Sequence, residues 1–336
     1  MAIWGVGAIG GTIGAWMSRA GVEVLLVDNE KEHVREMQQN GLLIDGIRDP
    51  FRQPVKAVTP DEVEGTLDLI FLAVKCRHTK AALDALVPHL APEGAVVSLQ
   101  NGLNEETIAL RIGADRTIGC FLNFGADYMG PGHVQHGNEH PIYVGELDGH
   151  TTDRIQEIHD LLANFCETNV TDNIWGYLWS KLAWASVLFG SAMVDAPSRE
   201  IFQRDEAAET LFRLGQESIR VPLTRGIHLE ALGDYKPGDY RQGDFRVIQS
   251  RSSEHPRSSV KNHTGIWRDL AVRHRPTEVD CQVGALVRHG HESGLKLPMN
   301  ERLIEMVHEI EQGRRRMAWE NITELGTVGP AGVADS

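Results

Sequence analysis

Cysteine is scarce in this chain, with four in 336 residues at positions 76, 120, 166 and 281. Their scatter leaves no paired metal-binding spacing and suits a reducing cytoplasm. Basic residues are also in deficit, 33 Lys and Arg against 47 Asp and Glu, for a formal net charge of −14. Such a balance argues against nucleic acid or an anionic membrane as partner. Long hydrophobic runs are missing too: none approaches the ~20 residues needed to cross a bilayer. Nor is a charged-then-apolar leader present, because the first residues already read as a strand, so a cleaved signal is not expected. No internal repeat is found. With 41% hydrophobic and 24% charged residues, the chain has the composition of a soluble globular protein. Its length is too great for one ordinary domain and comfortable for two. A soluble, cytoplasmic, two-domain protein is the expectation.

What is present begins four residues from Met1, as Gly5-Val6-Gly7-Ala8-Ile9-Gly10. Ile3 and Trp4 supply a short apolar strand before it, Thr12 to Ala20 read as a helix after it, and a second strand from Val22 to Val27 closes on Asp28. Strand, glycine turn, helix, strand and terminal acid together make a dinucleotide-binding unit, for a nicotinamide or flavin nucleotide. Gly5 permits the tight turn, Gly7 a close approach of backbone to pyrophosphate, and Gly10 the packing of helix on strand. The amides of Ala8 and Ile9 then lie at a helix N-terminus, where unpaired N–H groups and the dipole favour phosphate. Asp28 stands where a carboxylate accepts hydrogen bonds from a ribose 2′-OH and repels a 2′-phosphate. Asn29 follows, not arginine. NAD(H) is therefore favoured, and NADP(H) stays open because Lys31 or Arg77 could reach a phosphate. The alternative for Asp28 is a cap on the next helix.

Further on, Glu30 to Gln39 read as a helix, Leu42–Ile44 and Val55–Val58 as strands, and Thr59-Pro60-Asp61-Glu62 as a helix start. Leu67 to Val74 is a nearly unbroken apolar run, as in a central parallel strand covered on both faces. Ala81–Leu90 reads as a helix; Ala95–Leu99, Thr117–Phe124 and Pro141–Val144 read as strands, with Gly130-Pro131-Gly132 as a turn. This alternation predicts an α/β fold with a Rossmann-type, doubly wound parallel sheet. After about residue 150 the apolar period becomes helical, first through Ile155, Ile158, Leu162 and Phe165. Late helices are expected around Val279–Val287 and Leu303–Ile310, the second capped by Asn300. The expected division is a dinucleotide-binding domain over 1–171, an all-helical substrate and catalytic domain over 172–325, and a flexible tail over 326–336. Residues 229–257, polar and rich in glycine and proline, read as an extended loop.

Several side chains could carry chemistry. Lys75 and Asn101 each follow an apolar strand, at the carboxyl edge where doubly wound sheets bind ligands. Taken singly, they also fit a solvated lysine and a turn asparagine. Lys181 lies in Trp179-Ser180-Lys181-Leu182, on a helix apolar nearly all round. An ammonium there could donate a proton to a carbonyl oxygen, or could reach out to solvent along its stem. Glu278 looks like a first-turn acid favoured by a helix dipole. His133, His136 and His140 lie between glycines, in an expected hairpin, without carboxylate or cysteine support, so no metal is expected.

These motifs together resemble the ketopantoate reductase family, 2-dehydropantoate 2-reductases and their relatives, from Gly5 to about Gln312. The likeness rests on the glycine turn through Gly11, Val74-Lys75, Leu99-Gln100-Asn101-Gly102, Trp179-Ser180-Lys181-Leu182 and Thr277-Glu278-Val279-Asp280. It implies hydride transfer between nicotinamide and the C2 carbon of a small 2-oxo or 2-hydroxy acid. It implies Lys181 as general acid and base, Glu278 as a holder of substrate and lysine, and Asn101 and Lys75 as lining of the cofactor and reaction cleft, over which the domains close. Two asparagines that such enzymes carry after the lysine are replaced by Ala185 and Phe189, and the serines ahead of the glutamate by Thr264-Gly265. Loss of hydrogen-bond partners for a hydroxylated substrate costs selectivity of a few kcal/mol. Ala185 and Thr264 thus mark a less polar substrate wall, suited to a 2-oxo or 2-hydroxy acid other than ketopantoate, with 229–257 as a cover. The competing readings are 2-dehydropantoate 2-reductase proper, an opine or 3-hydroxyacid dehydrogenase-like enzyme, and a non-catalytic nucleotide-binding protein. A homodimer through the helices bearing Trp267 and Trp319 is compatible with the sequence.

Overall fold

The alternation starts at once: β1 (Ala2–Trp4), α1 (Ala8–Arg19), β2 (Leu25–Val27), α2 (Lys31–Asn40), β3 (Leu42–Gly46), β4 (Phe51–Gln53), β5 (Lys56–Val58) and β6 (Leu67–Leu72). It continues through α3 (Thr79–Leu86), β7 (Leu90–Ser98), α4 (Asn104–Ile112), β8 (Thr117–Phe121), β9 (Gly125–Gly130), β10 (His133–Asn138), β11 (Ile142–Glu146), α5 (Asp153–Ala163) and β12 (Thr168–Val170). The computed structural model describes residues 1–254 and 263–329. The chain divides into two units, Met1–Trp175 and Gly176–Ser336.

In the first unit an eight-stranded sheet runs in the order β12-β11-β8-β7-β6-β1-β2-β5. Every neighbouring pair is parallel except β11 with β8. The chain leaves β1 toward β2 and β5, then returns to β6 on the other side. The strand order therefore reverses between β1 and β6, where a doubly wound sheet opens its crevice. Ile70, Phe71 and Leu72 are all fully buried, as the unbroken apolar run predicts for a strand covered on both faces. Ile3, Phe71, Val97 and Ile118 face one core, while Ala2, Ile70, Leu72 and Val96 face the other.

The structure differs from the sequence reading in several places. Residues 59–62 form a single 3-10 turn with a Thr59–Glu62 capping box, not a longer helix. Helix α4 and strand β4 were not expected, and β9 and β10 only as a hairpin around the turn at 130–132. The last three join β3 in a second sheet of order β4-β3-β10-β9. Short segments with mixed polarity carry little periodic signal, and their pairing partners lie far away in the sequence.

The second unit is helical. It takes up all but the first two residues of α6 (Ile174–Ala192), then α7 (Ser198–Gln203), α8 (Asp205–Thr224), α9 (Pro237–Gln242), α10 (Phe245–Glu254), α11 (Gly265–Ala271), α12 (Val283–Glu292), α13 (Pro298–Glu311) and α14 (Glu320–Thr327). Among its described residues the one strand-type pairing is an isolated bridge, Leu232 with Tyr235. The segment read as a loop over 229–257 holds α9 and α10, because Leu232, Tyr235, Tyr240 and Ile248 are buried apolar anchors within the polar stretch; residues 255–257 lie outside the described ones. Asn300 does not cap α13. Leu297 holds that position, and Asn300 is buried three residues inside, bonded to Glu217 through its backbone N at 2.8 Å and Nδ2 at 2.9 Å. Of the expected tail, the Gly326 and Val328 carbonyls accept from Arg213 at 2.8 Å each, and residues 330–336 lie outside the described ones. Trp267 stacks on His263 and donates to Asp195 at 3.1 Å, while Trp319 lies beneath the Arg204 guanidinium. No helix among the described residues is long and apolar enough to cross a membrane.

Candidate active site

Gly5 adopts φ +96°, and a Cβ there would lie 2.7 Å from Val74 Cγ1 and 2.8 Å from the Val74 nitrogen. Only glycine lets the chain turn this sharply against the end of β6. At Gly10 a Cβ would collide with the Gly5 carbonyl oxygen, so the third glycine is demanded by the seating of α1 on the turn. Gly7 is different: among the described residues a Cβ would meet nothing within 4 Å, so their packing does not require its smallness. Gly7 is the N-cap of α1, whose first turn contains no acid. The amides of Ala8, Ile9 and Gly10 in that turn have no carbonyl one turn back to bond, which makes them donors for an anion.

Asp28 reaches into this turn. Its Oδ2 accepts the Val6 N–H at 2.7 Å, and its Oδ1 accepts the Glu30 N–H at 2.9 Å. Glu30 is the N-cap residue of α2, so the carboxylate also organises the start of that helix. Two bonds leave about two of its four lone-pair sites for a diol. Open backbone at Gly7, unopposed amides at the start of α1 and spare acceptors on Asp28 fit a dinucleotide: the loop for its pyrophosphate and the acid for its ribose.

Lys75 and Asn101 are both half-buried, at the carboxyl ends of the neighbouring strands β6 and β7. Their loops are tied together by side chains that the sequence reading passed over. Gln100 Nε2 donates to the Val74 carbonyl and to Thr79 Oγ1, each at 2.8 Å. Thr79 Oγ1 donates in turn to Asn104 Oδ1 at 2.8 Å, and Asn104 Nδ2 to the Asn101 carbonyl at 2.7 Å. Gln100, Thr79 and Asn104 are buried, so the network is shielded from competing water. Gln100 lies inside the quoted Leu99-Gln100-Asn101-Gly102 motif, the one signal that could have revealed it.

The second missed residue is His33 on α2. Its Nδ1 accepts the Gly132 N–H at 2.9 Å, and its Nε2 faces the Val6 carbonyl at 2.9 Å. No local pattern in the sequence links these three positions.

In the second unit, Lys181 is half-buried on α6, sharing a stripe at three- and four-residue spacing with Tyr177, Trp184 and Leu188. The rest of that helix is core: Trp179, Leu182, Ala183 and Val187 are buried, and Trp179 meets the His289 ring edge-on at 5.2 Å. Tyr235 stacks on Trp184 at 5.7 Å, one turn along from Lys181. Ala185 and Phe189 are both buried. Thr264 is the N-cap of α11, where its Oγ1 accepts the Trp267 N–H at 3.1 Å; its own hydroxyl proton is left for another acceptor. Glu278 does not open a helix, contrary to the sequence reading. It precedes a turn in which its carbonyl accepts the Gln282 N–H at 3.0 Å, and α12 starts only at Val283. Its approach is fixed on the N-terminal side: Arg275 Nε donates to Asp269 Oδ1 at 2.9 Å, and Thr277 donates to Glu311 Oε1 from its nitrogen at 2.7 Å and its hydroxyl at 2.6 Å.

The structure thus brings Gly5, Gly7, Ala8, Ile9, Gly10, Asp28, Lys75 and Asn101 to one edge of the first unit's sheet, and places Lys181, Ala185, Thr264 and Glu278 in the second unit. His133 pairs with Asp45 at 2.8 Å, and buried His136 faces the Asn138 carbonyl at 2.9 Å. Among the described residues no group of three or more His, Cys, Asp or Glu side chains is placed to hold a metal ion.

Comparison with known proteins agrees with this organisation. Residues 1–149 match the family described as ketopantoate reductase PanE/ApbA, and residues 173–311 match its C-terminal counterpart. The chain is 25% identical over 313 residues to a 2-dehydropantoate 2-reductase of Archaeoglobus fulgidus, covering 93% of this chain and 97% of the relative. It is 28% identical over 302 residues to a 2-dehydropantoate 2-reductase of Pyrococcus abyssi, covering 89% and 93%. Among solved structures, a PanE/ApbA family ketopantoate reductase from Ralstonia eutropha JMP134 superposes with TM-score 0.78 at 26% identity, over 93% of this chain and 98% of that one. A D-mandelate dehydrogenase with NADH and anilino(oxo)acetate superposes with TM-score 0.80 at 24% identity, again over 93% and 98%.

Proposed function

Because the chain belongs to the ketopantoate reductase family, we propose that it interconverts a small 2-oxo acid and its 2-hydroxy acid, with NAD(H) as the preferred coenzyme. It is an NAD(P)-dependent oxidoreductase acting on a C=O/CH–OH pair. The observation that carries the reading is the glycine turn at the β1/β6 switch point, with Asp28 bonded to its Val6 N–H at 2.7 Å and spare acceptors beside it. Ala8, Ile9 and Gly10 amides hold the pyrophosphate, and Asp28 holds the adenosine ribose and disfavours a 2′-phosphate. When bound, the nicotinamide supplies or accepts the hydride at C2.

The chain's own side chains do the rest. Lys181 gives its proton to the carbonyl oxygen as charge develops there during reduction, and takes it back during oxidation. A half-buried position on an apolar helix reduces the water that competes for that proton. Glu278 accepts from the substrate hydroxyl and orients the Lys181 amine. Asn101 and Lys75 line the coenzyme side, held by the Gln100–Thr79–Asn104 network. Ala185 and Phe189 bring no amide to the substrate wall, which supports a substrate less hydroxylated than 2-dehydropantoate, and Thr264 is the polar group left there.

The test is a titration of NADH and NADPH into the protein, followed by coenzyme absorbance with a panel of small 2-oxo and 2-hydroxy acids. Binding of NADH in preference to NADPH and turnover on a 2-oxo acid are expected. Turnover only on amine-plus-oxo-acid mixtures, or none on any acid, would overturn the reading.

A further inference from the structure

Val6 lies directly between Gly5 and Gly7, and both of its backbone polar groups are taken by side chains from elsewhere. Its N–H goes to Asp28 Oδ2 at 2.7 Å, and its carbonyl faces His33 Nε2 at 2.9 Å. The direction of the second bond follows from the first nitrogen of the ring. Gly132 presents an N–H to His33 Nδ1 at 2.9 Å, so Nδ1 must be the lone-pair nitrogen and Nε2 the one that carries hydrogen and donates. His33 is 1% exposed, which leaves no water to substitute for either bond.

The Val6 carbonyl and the Gly7 N–H belong to the same planar trans peptide, so they point in opposite directions. Whatever holds the carbonyl also aims the amide. Gly7 is the glycine whose open side packing does not explain, and its amide lies at the mouth of α1. The Gly132 end of the link is itself anchored, because the Gly132 carbonyl accepts the Leu43 N–H of β3 at 2.8 Å. The Tyr128 ring meets the imidazole edge-on at 5.2 Å and limits its rotation.

We propose that His33 is a positioning residue of the coenzyme site, orienting the Val6–Gly7 peptide toward the pyrophosphate from a fixed point on the second sheet. The proposal rests on the coenzyme reading above. It assigns His33 a role separable from holding α2 in place, since α2 has another tie, Gln38 Nε2 to the Ala57 carbonyl at 2.8 Å.

Two substitutions divide the two bonds. Glutamine carries an amide nitrogen near the place of Nε2, so His33→Gln keeps a donor for Val6 and loses the acceptor for Gly132. Asparagine carries its amide near Nδ1, so His33→Asn keeps the acceptor and loses the donor. The coenzyme dissociation constant of each full-length variant is measured by NADH fluorescence, alongside its melting temperature and its kcat at saturating coenzyme. His33→Asn should weaken NADH about fivefold to tenfold, the scale of one hydrogen bond, with kcat near that of the parent. His33→Gln should stay within about twofold. Gln38→Ala, which loosens α2 without touching Val6, should lower the melting temperature and leave NADH binding unchanged. The proposal fails if His33→Asn binds NADH like the parent, or if His33→Gln or Gln38→Ala weakens it as much. Should His33→Asn not fold, His33→Gln decides alone, because a loss of affinity there contradicts the role of the Val6 bond. A parent protein that binds neither NADH nor NADPH would refute the coenzyme reading itself, a result distinct from any pattern among the variants.

Discussion

Gln100 and Thr79 share one hydrogen bond of 2.8 Å, and through it the loop after β6 and the loop after β7 are held as one piece. The same Gln100 nitrogen takes the Val74 carbonyl, one residue before Lys75, while Thr79 hands its proton on to Asn104. Lys75 and Asn101 therefore owe their relative placement to a chain of amides and a hydroxyl, none of which has to touch a ligand.

Replacing Gln100 by leucine keeps the volume and removes both bonds. The Val74 carbonyl is left buried without that donor, at a cost of about 1–3 kcal/mol. A lower melting temperature and a raised coenzyme KM are expected, the latter because the Lys75 loop relaxes. A Gln100→Leu variant with an unchanged coenzyme KM would detach this network from the site.

Lys181→Ala should lose turnover by about 10²–10⁴-fold, the range of a positioned proton donor. NADH affinity should hold, since Asp28 and the glycine turn belong to the other unit. Turnover within a few-fold of the parent on the best substrate would remove Lys181 from the chemistry.

Gly10→Ala tests the geometry of the turn without adding charge. The new methyl would meet the Gly5 carbonyl, with Ala73 and Ile3 crowding it at 3.0 Å, so the backbone must move. Overpacking of this kind costs about 1–3 kcal/mol. A drop in melting temperature together with weakened NADH binding is expected; normal values of both would contradict the packing described.

Glu217 gives a pH dependence of known sign. Burial pushes its carboxyl above the ordinary glutamate range, only partly offset by the Asn300 backbone and side-chain bonds. The folded protein thus holds this proton more tightly than the unfolded chain does. The stability it contributes is complete below the ordinary glutamate value of about 4.3 and is lost as pH rises through the higher folded value. Glu217→Gln keeps an acceptor for the Asn300 N–H and cannot ionise. Its melting temperature should gain on that of the parent as pH is raised from mildly acidic to neutral. Parallel melting curves for the two proteins across that span would contradict the assignment.

How far the sequence reveals this molecule depends on the range of each interaction. The glycine turn was readable because its strand, helix and second strand are consecutive, and the apolar period of 67–74 was readable because both faces of β6 are covered. Lys75 and Asn101 were found at strand ends for the same reason. His33 was not, because Gly132 is 99 positions away and a histidine within Lys31–Asn40 looks like any other polar helix residue. Asn300 resembled a cap from its place after Pro298, and only the fold brings in Glu217, 83 positions earlier, as the acid at the start of α13. In 229–257, the glycines and prolines outweighed four buried apolar side chains that anchor short helices.

The small sheet has a bearing on how the chain is made. Its two hairpins, β3 with β4 and β10 with β9, come from well-separated stretches and are joined by the parallel Leu43–Gly46 pairing to His133–His136. A lone two-stranded hairpin is marginal in water. During synthesis the earlier hairpin gains its partner in this sheet only after the later one leaves the ribosome. Nascent chains halted before residue 125 should be cut by protease between 42 and 53, and chains released beyond residue 138 should resist.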